Sequence, residues 1–182
     1  MSTLKGLFAV ALLLALPSTA AFAETPGLGT PGLGTPVSEA DIAAWDISVM
    51  PNGTGLPAGS GTAVQGARVY AEKCSACHGD NGRNPAALGA GPMVSGPIAG
   101  IDGPKTIGSF YGYSTIVFDF VRRAMPYNMP RTLTSDEVYA VTAYLLAINK
   151  IIGENDVMNA ETLPKVKMPN RDNFIIRFPD RI

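Results

Sequence analysis

The two cysteines and the one histidine of this 182-residue chain fall within five positions, Cys74-Ser75-Ala76-Cys77-His78. Two thiols separated by two residues can each form a thioether with a vinyl group of one porphyrin. The imidazole that follows then lies under the ring and binds its iron. C-x-x-C-H is therefore the attachment spacing of a covalent haem, with His78 as the proximal ligand. The chain has no further Cys or His, so it can hold one such haem, and the opposite axial ligand is not histidine. Other chemistries fit these residues less well. A Cys74–Cys77 disulfide would close a tiny loop and stabilise little. A thioredoxin-like redox pair wants a βαβ context that the sequence lacks. Zinc needs more Cys or His ligands than are present.

The sixth iron position is open to methionine, to lysine, or to no protein ligand. Methionine opposite histidine raises the haem potential and suits electron transfer. Seven methionines are present. Met1 is at the start of the chain, Met50 precedes the haem motif, and Met158 and Met168 lie near the C-terminus. Met93 follows Pro92 in a stretch rich in Gly and Pro, and Met125 and Met129 each precede a proline. Most methionines serve packing. A Met-Pro step where a helix ends is different, because the proline stiffens a chain that must aim one sulfur at iron. Met125 and Met129 are the two candidates on these grounds.

Several elements must position these groups. A helix is predicted over about 63–73, running into the haem motif, with Gly66, Tyr70 and Cys74 along one face. A second is predicted over about 115–124, with Ser114 as its cap and Pro126 as its stop. Thr134-Ser135-Asp136-Glu137 is a capping box; behind it Val138, Val141, Tyr144, Leu145 and Ile148 form a stripe at helical spacing. Residues 79–109 show no helical period and are expected to fold around the haem as a loop. Residues 37–61 read as an arm that inserts Trp45 or Ile47 into a surface groove of the same domain, or else docks on a partner. Residues 149–182 read as loop that wraps the domain surface.

Residues 1–23 have the form of a secretory signal peptide: Lys5, the apolar run Leu7–Leu16, and Ala21-Phe22-Ala23 before Glu24. That run is short of the roughly 20 residues a spanning helix needs, so export to the periplasm without a remaining span is expected. The direct repeat Thr25-Pro26-Gly27-Leu28-Gly29, Thr30-Pro31-Gly32-Leu33-Gly34 reads as a linker. The expected organisation is thus signal peptide 1–23, linker 24–36, arm 37–61, haem domain 62–150 and C-terminal extension 151–182. A formal net charge of -1 offers no basic field for nucleic acid.

A helix ending in C-x-x-C-H-G, then a loop, a Met-Pro, T-S-D-E-V and an amphipathic last helix resembles the class I cytochromes c. The resemblance implies an all-α fold in which the first and last helices cross near Gly66, Tyr70 and Tyr144, here with an extended arm and a wrapping tail. It also implies Met125 as the sixth ligand, with Met129 as the fallback, because Leu133 opens the last-helix motif eight residues after Met125 and four after Met129. It makes Pro92 the residue whose carbonyl accepts the His78 Nδ1–H. Lys105, Tyr111, Tyr113, Arg122 and Arg123 become candidate partners of the haem propionates.

Four further strings are more specific: Ile42 to Ile47, Gly53 to Pro57, Arg122 to Tyr127 and Thr162 to Arg171. Together they resemble the cytochrome subunit of sulfur dehydrogenase from the periplasmic thiosulfate-oxidising system. This implies a molybdenum-containing dehydrogenase subunit as electron donor, acting on sulfite or protein-bound sulfur, and a downstream carrier or oxidase as acceptor. The chain would then be a haem subunit with no catalysis of its own. Known members of that family are longer and carry two haems, whereas this chain has one C-x-x-C-H. A free diffusible cytochrome serving another dehydrogenase is the alternative. A haem enzyme or sensor with an open sixth position is a third.

Overall fold

The computed structural model describes residues 34–87, 90–94 and 105–174. Residues 34–38 are a bend followed by chain without regular structure, and a separate compact unit begins at Glu39. The expected signal peptide, the linker up to residue 33, positions 88–89 and 95–104 of the expected haem loop and the tail beyond 174 lie outside the described residues. The unit from Glu39 is helical: α1 Glu39–Trp45, α2 Ala63–Lys73, α3 Ser75–His78, α4 Ser114–Ala124 and α5 Ser135–Ile148. Two short strands, β1 Ser60–Gly61 and β2 Met158–Asn159, pair antiparallel. Among the described residues no helix is long and apolar enough to cross a membrane.

α2 and α5 start where local chemistry satisfies their first N–H groups. Thr134 Oγ1 accepts from the Glu137 N–H, and Glu137 Oε2 accepts from the Thr134 N–H at 2.9 Å. Thr62 and Gln65 form the same reciprocal pair ahead of α2. The two helices cross at Gly66. A Cβ there would fall on the carbonyl of Ala140 and within 2.8 Å of the Tyr144 Cβ. Beside the crossing the rings of Tyr70 and Tyr144 stand 5.0 Å apart. Lys73 and Glu137 join the helices by an ion pair at 2.5 Å.

α5 is buried on nearly every side, well beyond its predicted stripe: Tyr139, Ala140, Thr142, Ala143 and Leu146 are buried as well. The arm and tail are the cause. β1 and β2 lie on α5 together with α2 and α4. The Tyr139 hydroxyl donates to the Pro57 carbonyl at 2.9 Å, and the Ser60 N–H donates to Asp136 at 2.8 Å. Phe118 of α4 packs its ring 4.5 Å from that of Tyr139, both fully buried. Burial of such a side chain stabilises by about 1.5–3 kcal/mol.

Three expectations need correction. Ser114 does not cap α4: Tyr113 holds that position without a side-chain bond, and the Ser114 hydroxyl donates to the Leu163 carbonyl at 2.6 Å. The tail does more than wrap the surface, because Leu163 and Met168 are fully buried members of the core. The arm is not uniformly extended. Its α1 helix leaves Trp45 78% exposed, while Ile47 is half-buried and its carbonyl accepts from Arg122 Nη1.

Candidate functional site

α2 delivers the haem motif. Cys74 closes α2, its N–H bonded to the Tyr70 carbonyl, and α3 carries Ser75 to His78. The chain behind His78 is held in place from α2: the Tyr70 hydroxyl donates to the Gly79 carbonyl at 2.9 Å. Gly79 has φ +72, and a Cβ on it would meet the Asn84 carbonyl, so the turn requires glycine. The loop then returns over the motif. The N–H groups of Ala86 and Ala87 donate to the Cys77 carbonyl at 2.9 and 3.1 Å. The segment containing Pro92 is fixed at Met93, whose N–H donates to the Gly82 carbonyl at 2.8 Å and whose carbonyl accepts from Asn149 Nδ2 at 3.2 Å.

Cys74 and Cys77 are free thiols, with Cys74 packed against the core and Cys77 exposed. Burial pushes the Cys74 thiol up to about 11, with Cys77 adding and Lys73 opposing. A nucleophilic redox cysteine shows the opposite shift. Burial also lowers the His78 pKa, opposed by the nearby Gly91 backbone. The shift favours the neutral imidazole, the form that ligates metal. Its Nδ1 is buried, and no hydrogen bond of good geometry reaches it. An imidazole whose Nδ1 is turned inward, beside two unjoined thiols, fits a covalently held porphyrin whose iron would take the other ring nitrogen, Nε2.

Met125 caps α4 at its C-terminal end, half-buried and packed against the same core as Cys74 and Met93. Met129 is 55% exposed. Of the five residues considered for the propionates, Tyr111 packs against the core, and Tyr113 lies beneath the Arg171 guanidinium at 3.8 Å. Lys105 stands 5.8 Å from the Phe110 ring. Arg122 bonds the Ile47 carbonyl, and Arg123 makes two 2.9 Å contacts with Asp119. Both arginines of α4 are therefore engaged in holding the arm and its anchor. Asn149, which clamps Met93 to the end of α5, was not foreseen, because nothing local to its sequence marks it.

Residues 63–149 match the family model of cytochrome c. A chain of the crystal structure of the sulfane dehydrogenase SoxCD from Paracoccus pantotrophus superimposes with a TM-score of 0.72 at 35% identity, covering 83% of this chain and 73% of that one. This chain belongs to the class I c-type cytochromes. It therefore carries covalently bound haem c. The thiosulfate dehydrogenase of Stutzerimonas stutzeri (strain A1501) is 29% identical over 89 residues. That match takes in 49% of this cytochrome and 28% of the relative, so the chain spans little more than a quarter of that protein's length. Both relatives are named as dehydrogenases of sulfur compounds.

Proposed function

We propose that this cytochrome is the monohaem electron-transfer subunit of a periplasmic molybdenum dehydrogenase that oxidises sulfite or protein-bound sulfane sulfur, and that it hands electrons to a downstream carrier or oxidase. One observation carries the reading. The likeness to SoxCD extends over 83% of the chain, whereas the cytochrome c model stops at residue 149. It thus takes in parts of the arm and tail, which a minimal cytochrome does not need.

In this proposal Cys74 and Cys77 hold the haem by thioethers, His78 is the proximal ligand and Met125 the distal one. When bound, haem c supplies a one-electron Fe(III)/Fe(II) couple. The protein's own residues orient and shield it. Tyr70 and Gly79 set the backbone behind His78. Pro92 follows Gly91, whose backbone lies near His78; the Pro92 carbonyl would accept from Nδ1–H in the haem-bound protein and so fix the ring's tautomer. The partial burial of Met125, against the exposure of Met129, supports Met125 as the sulfur donor.

The test is the oxidised absorption spectrum of the purified holoprotein. The weak far-red band of sulfur-to-iron ligation should vanish in Met125→Ala and persist in Met129→Ala, with a fall in potential in the former only. The reverse pattern would transfer the ligand role to Met129. A wild-type spectrum typical of an open iron would remove electron transfer as the function. Stopped-flow mixing of oxidised cytochrome with the dehydrogenase and sulfite should reduce the haem. Failure to do so would remove the partner assignment and leave the ligand assignment intact.

A further inference from the structure

α5 gives way to loop at Asn149, and the side chain of this residue works in two directions. Its backbone N–H bonds the Ala147 carbonyl, so the Leu145 carbonyl lacks the partner that a continuing helix would supply. Asn149 Nδ2 donates to that carbonyl at 2.8 Å. The same nitrogen crosses the fold, over 56 residues of sequence, to donate to the Met93 carbonyl at 3.2 Å. Two donors on one atom are needed here, and among side chains of this size only an amide has them. The amide oxygen is buried, and among the described residues no donor reaches it. It lies against Gly108, where a Cβ would come within 2.5 Å of Oδ1. A buried acceptor left unpaired costs stability. Asn149 is therefore better explained by what it holds than by how it packs.

What it holds is the strap of chain that passes His78. The Ala90 N–H donates to the Ala87 carbonyl at 3.1 Å, and the Met93 N–H donates to the Gly82 carbonyl at 2.8 Å. Between these bonds Gly91 has open space where a Cβ would stand, and Pro92 has no N–H to give. Met93 is thus the point at which the strap is pinned, by its N–H to Gly82 and by its carbonyl to Asn149. The Gly91 backbone lies near His78. We propose that Asn149 is a positioning residue for the haem iron: by pinning Met93 to the end of α5, it keeps the Pro92 carbonyl within reach of the His78 Nδ1–H and so sets how strongly the imidazole donates to iron. An acceptor on Nδ1–H makes the other ring nitrogen the more basic ligand, which favours Fe(III). With the strap released, that bond weakens and Fe(II) gains. The inference rests on the His78 ligation proposed above, and Asn149 acts only through that imidazole.

The test uses the holocytochrome grown with isotope-labelled histidine. The chain has one histidine, so the label reports His78 alone. Two quantities are read: the reduction potential, and by magnetic resonance the exchange of Nδ1–H with solvent in the reduced protein. Asn149→Leu keeps the volume and removes both donors. It should shift the haem towards Fe(II) by at least about threefold at a fixed poise and speed the Nδ1–H exchange by about tenfold. Val138→Ala opens a cavity at the other end of α5, where Val138 is fully buried; it should lower the Tm and leave both readouts alone. Should Asn149→Leu fail to fold, Gly108→Ala keeps both donors but displaces the amide by pressing on its oxygen, and both readouts should move the same way. Wild-type potential and exchange in whichever variant folds overturn the positioning role and leave His78 ligation standing. A shifted potential with unchanged exchange overturns it too, since Asn149 would then reach the haem by another route. An equal shift in Val138→Ala would reduce Asn149 to a structural residue. The resonances of an unligated imidazole in the wild type overturn both the inference and the ligation it rests on.

Discussion

The crossing of α2 and α5 gives a prediction whose sign depends on two opposing effects. Gly66→Ala removes a glycine from a helix interior, which by propensity alone stabilises by about 1 kcal/mol. The structure opposes this. The new methyl would land on the Ala140 carbonyl, 2.5 Å from its carbon and 2.8 Å from the Tyr144 Cβ. Carbon atoms need about 3.5 Å, and the obstacle is backbone in the middle of α5, which cannot rotate away. The helices must part instead. Overpacking of this kind costs about 1–3 kcal/mol. Parting also draws the Tyr70 and Tyr144 rings from their 5.0 Å contact, worth about 0.5–1.5 kcal/mol more. The net expectation is a loss of about 2 kcal/mol. For a protein of this size that is a fall in Tm of about 4–8 °C, read from far-UV circular dichroism of the oxidised holoprotein. A Tm equal to or above that of the wild type would mean that the helices have room at Gly66 and would refute the close-approach account.

Two further outcomes follow from the packing and the charges. Leu163→Ala should cost about 2–5 kcal/mol, because Leu163 is fully buried in the core; a loss under about 1 kcal/mol in the same melts would mean that the tail merely drapes. The hydrogen bond from Lys73 holds the Glu137 carboxyl below the usual carboxylate range, with the Thr134 N–H adding and burial opposing. A depressed folded pKa contributes stability that is present above the unfolded value near ~4.3 and lost as pH falls through the folded one. The stability difference between wild type and Glu137→Gln, at most about 1 kcal/mol for so exposed a pair, should therefore be largest near neutrality and close below about pH 4. A gap that widened in acid would contradict the assignment.

What the sequence disclosed divides along the distance over which each signal acts. Thr134 to Glu137 and the apolar period behind it mark α5 because cap and stripe are made within one helix. Cys74, Cys77 and His78 are legible for the same reason, since a porphyrin edge reads five consecutive residues. Ser114 misleads because a serine before an apolar run has the form of a cap, yet its hydroxyl is claimed by the Leu163 carbonyl, 49 residues away. Leu163 and Met168 carry no period, set among prolines, so nothing short of the fold shows that they complete the core. Trp45 misleads in the opposite direction. Apolar content argues for burial, and only the placement of α1 shows that the ring faces outward.

The choice between Met125 and Met129 shows why such long-range facts matter for chemistry. Both sulfurs precede prolines, four residues apart, and residue type does not separate them. In the proposed ligation, α4 distinguishes them by where it stops. Its last turn bonds the Met125 N–H to the Val121 carbonyl at 3.1 Å and leaves that side chain against the core. The Met129 N–H donates to the Pro126 carbonyl, and its side chain lies in solvent. A thioether is a weak ligand that competes with water, and it holds iron only where water is excluded. Burial, which the arm and tail secure by fixing α4 through Asp119, Arg122 and Ser114, is thus the property that favours one methionine. Loosening that support at Asp119 would weaken the distinction without touching either sulfur.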